Sequence, residues 1–282
     1  MKGFINIIKP EGITSAYAVG AVKKKTNTPC GHMGTLDPLA SGVLPVGIGH
    51  TSRMFPFLIE KDKTYIAEFR FGVLTDTLDI TGKNIETTSV IPTEEEIKSV
   101  LNEFIGEIEQ VPPKYSSKCI SGKRGYQLAR AGVDFSLEAR KVKIDNIELL
   151  ERVSERDFKF KIDCKGGTYI RSLARDIGYR VNSLATMSSL LRSKSGIFDL
   201  NNGVSLEEFK SADNIEKYII PAENTVSFPK IVLTSISATR LLNGLYDEFD
   251  FSDGLYRVFN GEEFWGVGEV KDKKIKMSCY VK

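Results

Sequence analysis

The spacing of apolar residues changes several times along the chain, and each change marks an element. Phe4 to Ile8 is aromatic and β-branched and predicts a short strand. Thr14-Ser15 then offers a hydroxyl cap for a helix over 16–25. Gly and Pro crowd residues 29–50, which predicts a long loop running into a strand at 42–48. Residues 51–60 read as helical. Residues 64–71 alternate and are rich in aromatic and β-branched side chains, which predicts a strand. Thr93-Glu94-Glu95-Glu96 has capping-box spacing. The helix it opens places Ile97, Val100, Leu101, Phe104 and Ile105 on one face, with Gly106 as a stop. Two strands over 141–151 and 157–165 form an expected hairpin, and a helix follows over 169–181. Beyond Phe228-Pro229, strand-like runs at 255–260, 263–270 and 274–281 are separated by turn residues such as Asp253-Gly254 and Asn260-Gly261. The order has no regular βαβ rhythm. It predicts an α+β fold, with a mixed, largely antiparallel sheet flanked by helices and a small C-terminal β-rich domain.

Composition agrees. The chain has 282 residues, 41% hydrophobic and 27% charged, enough for one large domain and a small one. The boundary is expected near 228/229. No apolar run reaches the length of a membrane span, and the N-terminus is too polar for a signal peptide, so a cytoplasmic protein is expected. Four cysteines without a C-x-x-C pair and only two histidines argue for reduced thiols and against a structural zinc.

The net charge of +2 says little about partners, but its distribution says more. Residues 112–143 carry eight basic side chains against Asp134 and Glu138, and 165–194 carry six against Asp176. Tyr115, Tyr126, Phe135, Tyr169 and Tyr179 are interleaved with them. Cations mixed with aromatics suit a polyanion with stackable bases. One such run alone is more often a solvated face; two shift the balance towards RNA.

The densest unusual stretch runs from Gly31 to Pro45. Gly31, Gly34, Pro38 and Gly42 surround one carboxylate, Asp37. Glycine permits close approach, and Pro38 keeps Asp37 out of the helical region. Spacing alone leaves open whether Asp37 is a catalytic group or a turn residue.

This stretch resembles the signature loop of the tRNA pseudouridine synthase B (TruB) family, and the resemblance extends along nearly the whole chain. Lys9-Pro10-Glu11-Gly12-Ile13-Thr14-Ser15 resembles the family's entry motif. Lys63-Thr64-Tyr65 is similar to its tyrosine-bearing strand, and Thr75 to Gly82 to the acidic turn that follows. Lys165 to Gly178 matches the second core motif, Leu191 to Gly196 the last, and Gly266-Val267-Gly268-Glu269 a PUA-like tail. Met33 stands where Thr is common, and Ser193 where a second Arg is common.

The resemblance implies the pseudouridine synthase fold, with a catalytic domain over 1–228, an RNA-clasping insertion at about 112–143 and a PUA-like RNA-binding domain over 229–282. The insertion is expected to be mobile without RNA and ordered with it. The implied reaction converts uridine to pseudouridine at position 55 in the T loop of tRNA, after the base is flipped from its stack. Asp37 is the implied catalytic carboxylate, Tyr65 packs on the base, and Arg171 pairs with Asp37. Tyr169 lines the pocket, His32 fills the RNA loop, and Lys9 supports the region. Asp76 and Asp79 read as turn-formers. The rearrangement exchanges one glycosidic bond for another, so no cofactor and no metal is expected. The implied partner is the tRNA T-arm, met by a monomer of the stand-alone bacterial type with no protein partner. The rival readings are a non-catalytic RNA-binding protein or tRNA folding chaperone, and a glycoside hydrolase using Asp37 and Asp79.

Overall fold

The structure, a computed structural model, describes residues 2–58, 62–116, 119–120, 122–133 and 135–281, without the side chains of Cys119, Ile120, Lys123, Arg124 and Arg130. Lys118 and Asp134 of the expected RNA-clasping stretch therefore lie outside the described residues. The fold is α+β with a mixed sheet, and the chain forms two compact units. The first comprises Met1–Gly34, Val43–Ile59 and Ile197–Lys282, the second Thr35–Gly42 and Glu60–Gly196.

In the first unit, the strand Gly3–Lys9 pairs in parallel with Val204–Ser205 and antiparallel with Ile219–Ile220. The helix Ser15–Thr26 begins where expected, because the Thr14 hydroxyl accepts from the Tyr17 N–H. The predicted long loop at 29–50 is partly a ladder: Cys30–His32 runs antiparallel to the strand Ser41–Ile48, with His32 opposite Val46. The helix expected over 51–60 is a 3-10 run instead, Gly49–Phe57. Pro56 lies inside it and has no N–H to give an α-helical bond; Glu60 lies outside the described residues. Five strands between Lys230 and Tyr280 form a separate sheet that includes the three runs foreseen beyond residue 229.

The second unit holds an antiparallel sheet in the order Gly106–Gln110, Arg140–Arg152, Asp157–Cys164, Lys63–Phe71, Ala185–Ser195. Ser41 and Gly42 extend it in parallel beside Leu191 and Arg192. Alternation along Lys63–Phe71 sends Lys63, Tyr65, Ala67, Phe69 and Phe71 to the buried side. Phe69 stacks on Phe160 with ring centroids 4.7 Å apart, and Phe71 meets Phe158 edge-on. The helix Ile170–Arg180 covers this side with Ile170, Leu173, Ala174 and Ile177, all buried. Buried aromatic and aliphatic side chains of this size each stabilise the fold by roughly 1.5–3 kcal/mol. They make a firm base for the polar groups that share their face.

Candidate active site

Asp37 sits at a turn closed by the Ala40 N–H, which donates to the Asp37 carbonyl at 3.0 Å. Leu36 and Ala40 on either side are buried and fix the loop, while the Asp37 side chain keeps 32% of its surface open. Gly42 ends the loop with φ +103°. A Cβ there would lie 2.3 Å from the Arg192 carbonyl oxygen, so only glycine allows the loop to reach the sheet.

Arg171 meets Asp37 from the first turn of the helix Ile170–Arg180. Its Nε lies 2.9 Å from Oδ2, and its Nη2 donates to Oδ1 at 3.2 Å. This two-pronged geometry is one that a guanidinium provides and an ammonium does not. Arg171 is only 6% exposed, so its remaining donors need partners. Nη1 donates to the Thr77 carbonyl at 2.8 Å, and Nη2 to the Tyr115 carbonyl at 3.0 Å. Nη1 also faces Asp79 Oδ2 at 3.7 Å. Asp79 is 5% exposed, and its Oδ1 accepts from the hydroxyls of Thr77 and Thr81 and from the Thr81 N–H. Asp37, Arg171 and Asp79 thus form a carboxylate–guanidinium–carboxylate chain. Its inner end is buried and its outer end is open.

Tyr65 points into the same unit from the neighbouring strand and is almost fully buried. Burial pushes its phenol pKa up, partly opposed by Arg192, with which its side chain is hydrogen-bonded. Arg192 stands directly across the ladder from Tyr65 and is 1% exposed. Lys63, two residues before Tyr65, is also buried; desolvation first and the Arg192 charge second bring it down to about 8. Tyr169 precedes the Arg171 helix. Its N–H donates to Gln110 Oε1 at 2.8 Å, its carbonyl accepts from Gln110 Nε2, and the Arg140 guanidinium lies 4.6 Å over its ring.

The structure brings Asp37 and Arg171 into contact and places Tyr65 close enough to feel the Asp37 charge. Tyr169 stands at the N-cap position of the Arg171 helix, without a side-chain cap. Lys9 and His32 belong to the first unit. Lys9 is fully buried, and its ammonium donates to the carbonyls of Pro10 and Ile13, closing the turn that follows its strand. His32 is half-buried in its short strand. Arg192 and Gln110 were not singled out as site residues from the sequence, and Asp79 was read as a turn-former, given a catalytic part only in the rival glycoside-hydrolase reading. Asp79 does form its turn, but its second oxygen faces Arg171. Arg192 carried a signal, its place in the motif Leu191 to Gly196 and in the basic stretch 165–194. Gln110 carried none.

The profile described as "TruB family pseudouridylate synthase (N terminal domain)" matches residues 23–170. The tRNA pseudouridine synthase B of Clostridium kluyveri is 39% identical over 286 residues, covering 98% of both chains. That of Aquifex aeolicus is 39% identical over 277 residues, covering 96% of both. Among solved structures, the crystal structure of a Cbf5–Nop10–Gar1 complex superimposes with a TM-score of 0.72 at 28% identity, over 99% of this chain and 85% of that one.

Proposed function

Because the chain belongs to the TruB family of pseudouridylate synthases, we propose that it isomerises uridine to pseudouridine at position 55, in the T loop of tRNA. The observation that carries this reading is the two-pronged Asp37–Arg171 contact, held from behind by Asp79 and two backbone carbonyls. In the reaction the N1–C1′ bond breaks, the uracil turns, and C5 joins C1′. The proton leaves C5, and N1 takes one up. Oxidation state is unchanged and no group donor is consumed. Asp37 is the catalytic carboxylate acting on the flipped nucleotide, and the fixed positive charge of Arg171 keeps it ionised and aimed. Tyr65 supplies a flat face for the extruded base, a stack worth about 1–3 kcal/mol. Its phenol, pushed up by burial, stays protonated at neutral pH.

Tyr169 lines the base pocket, His32 fills the gap left in the RNA loop, and Lys9 supports the active-site region. Residues 1–228 act as the catalytic portion and 229–282 as a PUA-like RNA-binding domain. The basic stretch 112–143 clasps the RNA; its Tyr115 carbonyl already accepts from Arg171, which links clasp and carboxylate. The protein acts as a cytoplasmic monomer on the T-arm, without a protein partner. Among the described residues, no helix is long and apolar enough to cross a membrane, and Cys30, Cys164 and Cys279 are free thiols.

The test is tritium release from tRNA labelled at C5 of uridine, with wild type and Asp37→Asn. The expected result is release from the T-loop uridine by wild type alone, with binding retained by both. Tight binding by both without release by either would replace the proposal with the RNA-chaperone reading.

A further inference from the structure

The fold assembles a basic surface that neither cationic stretch of the sequence contains. In the first unit, the helix Ser15–Thr26 ends in Lys23, Lys24 and Lys25, and the short helix Leu206–Ser211 lies against it. Between them runs a groove of about 690 Å³, lined by Tyr17, Gly20, Ala21, Lys24, Lys25 and Lys210. None of these lining residues is acidic. Lys25 Nζ donates to the Lys210 carbonyl at 2.7 Å. Lys210 Nζ donates to the Tyr17 hydroxyl at 3.3 Å and lies 4.9 Å from the centre of its ring.

Two features suit the groove to an anionic partner. Lysines in the last turn of a helix complement its dipole, which accounts for Lys23 to Lys25. Lys210 stands likewise in the last turn of its own short helix, 185 residues beyond Lys25, and the fold brings it to the same groove as a third ammonium. Like charges gathered in this way repel unless an anion lies between them. The second feature is Gly20. Glycine inside a helix is less favourable than alanine. A Cβ at Gly20 would meet nothing within 4 Å in this chain, so no internal packing demands its absence. A bare helix surface there leaves room for a second backbone to come close.

We propose that this groove binds the sugar–phosphate backbone of the tRNA substrate, with Lys24, Lys25 and Lys210 on phosphates and Gly20 and Ala21 as the floor. This deepens the functional reading above and rests on it. Continuity along the chain supports the same partner. The basic end of the helix is tied to the strand of His32 through Thr26 Oγ1 and Cys30 Sγ, 3.6 Å apart, so lysines and proposed wedge extend from one local framework. An RNA backbone offers evenly spaced charges without requiring sequence readout.

The experiment measures tRNA affinity over a range of salt concentrations for wild type and Lys24→Gln/Lys25→Gln/Lys210→Gln. Each phosphate contact contributes roughly 0.7–0.9 to the slope of log K against log salt. The triple variant should therefore lose about 2–3 from that slope and bind tRNA more weakly at low salt, with turnover at saturating tRNA unchanged. Gly20→Leu fills the groove without altering charge; it should weaken binding while leaving the salt slope within about one contact of wild type. The charge-preserving triple replacement by Arg should restore the slope. Thermal unfolding of each variant separates lost contacts from lost structure. Wild-type slope and affinity in both the Gln triple variant and a folded Gly20→Leu would overturn the proposal. Tritium release by wild type is scored separately. Normal release with unaltered binding by the variants rejects the groove alone, whereas no release by wild type rejects the functional reading.

Discussion

Replacing Arg171 by Met removes the guanidinium but keeps an unbranched side chain in its place. In the wild-type protein this 6% exposed group joins Asp37, Asp79 and the carbonyls of Thr77 and Tyr115. The Asp37 arm contributes little to stability, because that side chain is 32% exposed and water can replace the cation. The Asp79 arm is different. Asp79 is 5% exposed, and without Arg171 its carboxylate stays buried with its positive neighbour gone. Removing one member of a buried ion pair costs about 3–5 kcal/mol. The 3.7 Å separation is longer than a direct hydrogen bond, and the threonine donors remain, so the lower end of that range, about 3 kcal/mol, is expected. Urea unfolding at pH 7 measures it, and a double-mutant cycle with Asp79→Asn assigns it. If the cost arises from a stranded charge, Arg171→Met/Asp79→Asn should be more stable than Arg171→Met by about 1–2 kcal/mol, within the usual range for coupled neighbours. A double variant no more stable than Arg171→Met would refute the chain from Asp37 through Arg171 to Asp79.

Lys63 makes the fold pH-sensitive. Its pKa is brought from 10.5 to about 8 by burial and by Arg192, so between those values the unfolded chain binds more protons than the folded one. Stability from this group therefore rises with pH from about 8 to 10.5 and is flat below, an effect of about 3 kcal/mol at most. Lys63→Met should be more stable than wild type at pH 7, with the difference shrinking by pH 10 in paired urea titrations. For Tyr65, Phe keeps the stacking face and Leu does not. Tyr65→Phe should bind T-arm RNA as wild type does, while Tyr65→Leu loses about 1–3 kcal/mol in filter binding. Thr93→Ala removes a capping box in which the Thr93 hydroxyl accepts from the Glu96 N–H and Glu96 accepts from the Thr93 N–H. It should cost about 0.5–2 kcal/mol in thermal or urea unfolding.

Much of the fold was legible because its elements follow local rules. The Thr14 and Thr93 caps, the 140–164 hairpin and the alternation of 63–71 lie within a few residues of where their patterns place them. The strand Ala185–Ser195 pairs along the whole of Lys63–Phe71 yet was read only at its far end, as a motif. Register shifts at Met187/Ser189 and Arg192/Lys194 break its two-residue period, which is the signal a reader would use. The 3-10 run at 49–57 has helical composition but a proline that prevents α-helical bonding. At the site, the pairing of Asp37 with Arg171 was expected from motif order. The positions of Asp79 and Arg192 behind it depend on strands meeting across the sheet, which no local window contains.

Asp37 and Arg171 are separated by 134 residues of chain. A ribosome adding about 5–20 residues per second leaves Asp37 without its arginine for roughly 7–27 s after it is made. The strand Ala185–Ser195 arrives later still. Until then, the edge of Lys63–Phe71 that it will occupy, and Gly42, have no partner from this strand. The nascent protein therefore passes through a period in which the Asp37 loop is complete in sequence but held only by its own turn and the short ladder beside it. The contact of Asp37 with Arg171 and the seat of Gly42 on the sheet are thus both completed only by chain made long after the loop itself.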